Sequence, residues 1–396
     1  MSARASPANA PIVIAGAGIA GLTTALGLIR AGFEVTIVEQ APELREAGAG
    51  VTLAPNATRA LASLGVLDSV RKLGQVPDRA ALRHYKTGAE LGGYEVGDAM
   101  ERKWGAPYIQ LRRADLQDAL LAAVNAAAPQ ALHLNSRVLA VEHLDPGVRV
   151  VTSTETLDTP CLLAADGVRS VVRNKLFTQP EPHFLGYVAW RCLLPRKSIR
   201  YESMEPDTVL YLGPHRSMLR YKVCNSSMIN CVAFAQDQTW SEEGWSVPAD
   251  PEDMRAGFGG WNDESAALID AMCEAGNTFK WGLFGRRRLP GWSLGRVMLL
   301  GDAAHPMLPF LGQGAAMAIE DGVVLARAFA LHEDIDEALA NYERSRYERA
   351  TTTVTRSDRQ GLRVHEYLAG DPTGVQVPQD DFNEFGFDAA AVSFAA

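Results

Sequence analysis

Gly16, Gly18 and Gly21, with Glu39 downstream, have the spacing that a dinucleotide site requires. The apolar run Pro11-Ile12-Val13-Ile14-Ala15 leads into Gly16-Ala17-Gly18-Ile19-Ala20-Gly21, and a second run, Glu34-Val35-Thr36-Ile37-Val38, ends on Glu39. This pattern predicts a strand, a glycine turn, a helix and a second strand closed by an acid. Gly16 permits the tight turn, Gly18 lets backbone amides approach a pyrophosphate, and Gly21 lets the helix pack on the strand. The helix N-terminus adds positive potential, and Glu39, about 20 residues on, can accept hydrogen bonds from ribose hydroxyls. The competing reading is a glycine turn that only packs a strand-helix-strand unit.

The glycine pattern serves nicotinamide and flavin cofactors alike, so later segments must choose between them. In Cys161-Leu162-Leu163-Ala164-Ala165-Asp166-Gly167-Val168-Arg169-Ser170-Val171-Val172-Arg173 a buried strand runs into a turn and then a basic helix. In Gly301-Asp302-Ala303-Ala304-His305-Pro306, preceded by the apolar Val297-Met298-Leu299-Leu300, Asp302 stands at the carboxyl end of a strand. Gly312 and Gly314 then open a helix of small residues. A carboxylate at Asp302 can hold a ribityl hydroxyl, and free amides at that helix start can face the electron-rich edge of a flavin.

With these motifs in this order, the chain resembles the single-component FAD-dependent aromatic hydroxylases (class A flavoprotein monooxygenases), the group containing salicylate and hydroxybenzoate hydroxylases. The resemblance spans Ile12 to roughly Tyr347 and includes Gly48-Ala49-Gly50-Val51-Thr52-Leu53-Ala54-Pro55-Asn56-Ala57 and Leu111-Arg112-Arg113-Ala114-Asp115-Leu116. It implies that Arg113 contacts FAD and Asp302 its ribityl chain, with Asp166 and Arg169 on the cofactor side, divided between FAD and the reduced nicotinamide. Ala165 stands where the family commonly has glycine. The implied fold is α/β, a Rossmann-like FAD-binding domain with an interleaved β-sheet substrate domain and C-terminal helices. The expected layout is a flexible tail over 1–10, the FAD-binding domain over 11–75, 103–180 and 279–330, the substrate domain over 76–102 and 181–278, and helices and tail over 331–396.

The implied reaction is hydroxylation of a small aromatic or heteroaromatic acid by molecular oxygen, with NADH or NADPH bound transiently and a flavin C4a-hydroperoxide as the oxygen donor. Protein groups then position the reagent, exclude water and make the ring more nucleophilic, so neither a metal nor a nucleophilic triad is expected. By resemblance Pro306 lies beside the flavin ring, compatible with its being a rigid turn. His215 and Tyr221 belong to the hairpin that the family places over the substrate. His215 reads either as a catalytic group or as a solvated turn tip, and Tyr221 as a core residue or a hydroxyl that orients substrate. His305 fits a backbone-fixing role more readily than direct chemistry. His84 and Arg220 are possible carboxylate anchors, with surface charge the commoner explanation. Leu308 and Phe310 suit a ring face. Relatives that oxidise hydroxypyridine carboxylates tend to have histidines where this chain has Thr52 and Ser217, which favours a phenolic carboxylate such as salicylate or hydroxybenzoate. Other readings are a hydroxypyridine carboxylate monooxygenase, a flavin oxidase or dehydrogenase without external NAD(P)H, and a non-catalytic binding module.

Positioning these groups takes a large chain, and 396 residues predict two domains. Apolar residues make up 47% and charged residues 21%, enough for a sizeable core. A formal net charge of -9 opposes general affinity for nucleic acid or anionic lipid. Five cysteines without CxxC or metal spacing read as reduced packing residues. The opening residues carry no long apolar stretch, so the expectation is a cytoplasmic monomer or homodimer without membrane insertion. Short runs from His183 to Asp237 predict an antiparallel sheet, with hairpins at Thr208–Leu212/Ser217–Val223 and Leu82–Tyr85/Ala89–Leu91. Ile335 to Leu368 reads as helical, and the apolar end, Ala389 to Phe394, as a segment that frays or packs on a neighbour.

Overall fold

The computed structural model describes residues 10–44, 49–178, 181–237, 240, 247–367 and 382–394. The expected tail up to residue 9, Gly48 and the turn-rich stretch 371–381 lie outside them.

In chain order the elements begin β1 (Ile12–Ala15), α1 (Ile19–Arg30), β2 (Val35–Val38), β3 (Gly50–Leu53), α2 (Pro55–Ser63), α3 (Leu67–Leu73), β4 (Arg79–His84), β5 (Glu90–Glu95), α4 (Gly97–Trp104), β6 (Ile109–Arg112) and α5 (Arg113–Ala127). There follow β7 (Leu132–His133), β8 (Val138–Leu144), β9 (Gly147–Thr152), β10 (Thr156–Thr159), β11 (Leu162–Ala164), α6 (Val171–Leu176), β12 (His183–Pro195), β13 (Thr208–Gly213), β14 (Arg216–Val223) and β15 (Met228–Gln236). The remainder is β16 (Val247–Pro248), α7 (Pro251–Gly257), α8 (Asp263–Glu274), β17 (Phe279–Gly285), β18 (Ser293–Leu294), β19 (Val297–Leu299), α9 (Gly314–Leu331) and α10 (Ile335–Tyr367).

The first sheet runs β18-β19-β11-β1-β2-β7, parallel from β19 to β7. The uninterrupted apolar runs of β1 and β11 suit this, because a parallel strand is covered on both faces. Helix α1 lies almost wholly buried against α9. Their contact is closer than side chains allow at two points: a Cβ on Gly27 would lie 2.7 Å from Ala326 Cβ, and one on Gly322 2.7 Å from the Thr24 amide nitrogen.

The second sheet runs β16-β17-β12-β15-β14-β13-β4-β5, antiparallel except where β13 meets β4. Strand periodicity divides its residues between two faces. One face, with Trp190, Tyr211, Met218 and Cys231, packs under Met254, Phe258, Leu268 and Met272 of the α7–α8 segment. The opposite face carries Tyr221, Asn230, Val232 and Phe234. Its middle row, Leu210, Leu219 and Val232, is only half-buried. Smaller sheets, β10-β9-β8 and β3-β6, complete the first half.

Two expectations change. Phe279–Gly285 pairs with β12 in the second sheet, so it does not belong with the FAD-binding stretch 279–330. The apolar end neither frays nor waits for a neighbour: Ala389 is fully buried, and Ala390, Val392 and Phe394 pack on the main core of the same chain. The free-energy gain from burying these apolar groups exceeds the cost of ordering a short segment. No helix of the described residues is long and apolar enough to cross a membrane. The α1–α9 crossing yields a stability prediction. Gly322→Val should destabilise the protein by about 2 kcal/mol or more in urea unfolding, whereas Gly257→Ala, whose added carbon meets nothing within 4 Å, should stay within about 1 kcal/mol.

Candidate active site

Strands β1, β11 and β19 lie side by side with Ala15, Ala164 and Leu299 in register. Everything that follows these residues therefore leaves the sheet at one edge. The glycine turn, the Ala165-Asp166 turn and the Gly301-Asp302 turn meet there, where α/β sheets form their ligand crevices. Gly16 has φ +99°, and a Cβ on it would lie 2.5 Å from the Ala165 carbonyl oxygen. Gly301 has φ +55°, and a Cβ there would lie 2.8 Å from Ala20 Cβ, so the late loop rests directly on α1. A Cβ on Gly21 would collide with the Gly16 carbonyl. Gly18 differs: an added Cβ would meet no protein atom within 4 Å. The space beside the first amides of α1 is thus open, as a pyrophosphate cradle requires.

Side chains lock this edge. Glu39 accepts from the Ala17 amide at 2.8 Å and the Ala41 amide at 2.9 Å, which puts its carboxylate against the glycine turn. Gln117 donates to the Ala17 carbonyl at 3.0 Å. The buried Arg173 donates to the Asp302 carbonyl at 3.1 Å, to the Ala303 carbonyl at 3.0 Å and to the Val168 carbonyl, joining two of the three turns. Asp166 accepts from the Val172 amide at 3.1 Å, and burial pushes its pKa up. The Asp302 carboxylate makes no hydrogen bond within the described residues, and the Arg113 amide donates to the Ala49 carbonyl at 2.8 Å, at the start of β3.

The loop after Asp302 is held from behind by buried charge. His305 Nε2 lies 2.6 Å from Asp321 Oδ2, which also accepts from the Gly301 amide at 2.9 Å, and Arg346 Nε donates to Asp321 Oδ1 at 2.8 Å. Burial alone pushes the Asp321 carboxyl up, but His305 and Arg346 outweigh it and hold the group at about 2. Glu320 binds Arg346 and Arg349 and accepts from Asn56 Nδ2 at 2.7 Å; Asn56 also reaches Gln313 Oε1 at 3.0 Å. The start of α9 is thereby tied to α2. Gly312, at φ +63°, would place a Cβ 2.9 Å from Thr52 Oγ1, which sets Gly312 and Gly314 beside β3. Pro306 lies between the Asp302 turn and this helix start.

The second sheet covers the same region. A Cβ on Gly50 would lie 2.5 Å from the Tyr221 hydroxyl, and the Gly50 amide donates to Asn230 Oδ1 at 2.7 Å. Burial, reinforced by neighbouring Tyr108, pushes the Tyr221 hydroxyl above the usual phenol range, which favours its protonated form. Farther along the same face, Leu308 and Phe310 pack with Ala189, Phe234, Trp281 and Leu283. The Phe234 and Phe310 rings are 5.3 Å apart.

Other expected residues lie elsewhere. The hairpin register pairs Thr208 with Tyr221 at one end and Gly213 with Arg216 at the other. His215, in the turn at φ +55°, is therefore roughly 20 Å along the strand from Tyr221 and is not brought to it. His84 Nδ1 accepts from the Lys86 and Thr87 amides at 3.2 Å and shapes a turn. Arg220 is fully buried on the opposite face, paired with Glu264 at 2.6 Å, and so is neither a surface charge nor a carboxylate anchor. Sequence reasoning missed Arg173, Asn56, Asp321, Arg346 and Asn230 as holding groups. The signal for Glu320-Asp321 was an acid pair inside an otherwise small and apolar helix, which demands buried cations.

Fold and crevice together define an α/β protein of the dinucleotide-binding kind whose second sheet packs on β3 beside the crevice. Residues 9–357 match the family model described as FAD binding domain, and the chain belongs to that family. It is 35% identical over 395 residues to the 3-amino-4-hydroxybenzoate 2-monooxygenase of Streptomyces platensis, covering 96% of this chain and 97% of that one. It is 36% identical to the 6-hydroxynicotinate 3-monooxygenase of Bordetella bronchiseptica, over 90% of this chain and 92% of the relative. Among solved structures, a salicylate hydroxylase in complex with substrate superposes with a TM-score of 0.76 at 26% identity, covering 96% of this chain and 93% of the other. The chain is an FAD-dependent monooxygenase of the aromatic-hydroxylase type.

Glu39→Ala and Asp302→Ala should each weaken FAD binding about tenfold or more, read by fluorescence titration of apoprotein. Asp321 supplies a pH test. Its folded-state pKa, about 2, lies below the ordinary 3.8. Its ionisation therefore stabilises the fold above the ordinary value, and that contribution fades as pH falls from about 4 to about 2. Asp321→Asn should flatten the stability-versus-pH curve in that window, measured by urea unfolding.

Proposed function

We propose that this chain inserts one atom of molecular oxygen into the ring of a small phenolic carboxylic acid, using NADH or NADPH as reductant and releasing the second oxygen atom as water. When bound, FAD supplies the two-electron chemistry and the activation of oxygen. The reading is carried by one observation: the neutral Tyr221 hydroxyl faces β3, next to the Gly312 turn, on a sheet face that continues into Leu308, Phe310 and Phe234.

Each chain residue then has a task in binding or positioning. The α1 amides at Gly18 take the pyrophosphate, Glu39 the ribose and Asp302 the ribityl hydroxyls, with Arg113 beside the flavin and Asp166 at the nicotinamide side of the cleft. The amides at Gly312 and Gly314 meet the flavin edge, and Pro306 gives that edge a stiff wall. Gly16 and Gly21 keep the turn closed. Tyr221 donates a hydrogen bond to the substrate's ring oxygen and so stabilises the charge that makes the adjacent carbon nucleophilic. The apolar wall formed by Leu308 and Phe310 holds the ring and keeps water out. His215 takes no part in this arrangement. The enzyme acts in the cytoplasm as a monomer or homodimer.

A hydroxypyridine carboxylate is the second reading, favoured by the 36% identity to a 6-hydroxynicotinate monooxygenase. A screen of phenolic and hydroxypyridine acids for stimulated NAD(P)H consumption, with products identified by mass, separates the two. Failure of every acid to yield a hydroxylated product overturns the proposal. Tyr221→Phe should lower hydroxylation about 10- to 100-fold with unchanged FAD affinity, and the lost flux should appear as hydrogen peroxide.

A further inference from the structure

The site-facing side of the second sheet is open along a strip. Leu210, Leu219 and Val232 are half-buried, while Tyr221 and Asn230 on one side of them and Ala189, Phe234 and Ser217 on the other are buried. The loop after the Asp302 turn borders this strip: Phe310, itself half-buried, packs in one apolar cluster with Val232, and its ring lies 5.3 Å from that of Phe234. What stands behind Phe310 is α10. The ring is seated directly against Gly361, where an added Cβ would overlap Cδ2 and Cε2 and lie 3.1 Å from Cζ. One turn earlier on the same helix, the buried Ser357 donates from Oγ to the Leu308 carbonyl at 2.7 Å. Glycine is the poorest helix former after proline, yet Gly361 is buried inside a helix that runs from Ile335 to Tyr367. What it provides there is room for an aromatic ring.

We propose that Gly361 is a positioning residue that sets the ring size of the substrate through Phe310, and that the site takes a single-ring acid and turns away its fused two-ring homologue. The inference rests on the proposed reading of this site. Seated in the notch at Gly361, the Phe310 ring leaves the strip its full width. A side chain at position 361 pushes the ring off α10 and toward Phe234 and Val232, into the space over the strip. The rows of Tyr221 and Phe234 are four residues apart along the strands, roughly 13 Å. After van der Waals contact of about 3.5–4 Å at each end, the remaining length fits one substituted ring. A helix outside the crevice thus fixes how large a ring the crevice admits.

Gly361→Ala, Phe310→Ala and the double variant test it. Salicylate and 1-hydroxy-2-naphthoate, which adds a fused ring to the same phenol and carboxylate, are titrated into FAD-loaded protein by the perturbation of flavin absorbance. Gly361→Ala should weaken salicylate binding about tenfold, with FAD affinity unchanged in a fluorescence titration of apoprotein. Phe310→Ala should shift the preference toward the two-ring acid by a similar factor. In the double variant the alanine at 361 should have no further effect on either acid, because the ring it displaces is gone. Urea unfolding gives a second readout: Gly361→Ala lowers the midpoint of the parent but raises that of Phe310→Ala, where only alanine's better helix propensity remains. The inference is overturned if Gly361→Ala leaves both affinities at the parent values, if it weakens them equally in the Phe310→Ala background, or if Phe310→Ala keeps the parent's preference. Should Gly361→Ala fail to fold, the double variant must still fold and bind as Phe310→Ala does, and its failure overturns the inference. If neither acid binds the parent or any variant, the proposed substrate class fails and the ring-size limit with it, whereas a parent that binds salicylate with no shift among the variants overturns the inference alone.

Discussion

No side chain fits between Gly16 and the carbonyl of Ala165, where an added Cβ would lie 2.5 Å from the oxygen. That approach is possible because β1 and β11 are adjacent parallel strands that end in register. Once the first turn lies against the second, and the Gly301 turn rests on Ala20, segments nearly 300 residues apart in the chain form one crevice. The mouth of that crevice is lined by helix-start amides, with the Glu39 carboxylate against the glycine turn, the electrostatic setting that suits a dinucleotide.

The crevice is held open by charge buried behind it. Carboxylates and guanidinium groups lose hydration when buried, and the loss is tolerable only when every oxygen and N–H finds a partner. Asp321 meets this condition with His305, Arg346 and the Gly301 amide, and Glu320 with Asn56, Arg346 and Arg349. Hydrophobic packing would have been compatible with a range of loop positions. A directional set of hydrogen bonds fixes one, and with it the relation of Pro306 and the Gly312 turn to β3.

The second sheet works through its two faces. The face under α7 and α8 is sealed by aromatic and aliphatic side chains, and even its arginine, Arg220, is neutralised by Glu264. The other face leaves Leu210, Leu219 and Val232 half-buried beside the polar pair Tyr221 and Asn230. An apolar wall with a few fixed polar groups is what a small aromatic acid requires. Burial favours the protonated form of Tyr221, the form in which a phenol can donate a hydrogen bond.

The chain on its own determined the cofactor half. Gly16, Gly18, Gly21, Glu39 and Asp302 are read from local periodicity, because a glycine turn between a strand and a helix has the same geometry wherever it occurs. The antiparallel strands, including the Thr208–Gly213 hairpin, were legible for the same reason. What tertiary structure alone decided was which polar residue faces what. A strand shows two faces that alternate with every residue, and nothing local says which will meet a helix and which a cofactor. Hence Arg220 lies under α8 while Tyr221, one residue on, meets β3; His215 sits at the far end of its hairpin; and Asn230 and Arg346 gain their roles only from partners distant in sequence. The C-terminal segment Ala389–Phe394 is of the same kind, since its apolar residues could not name their own core until the helices that receive them were in place.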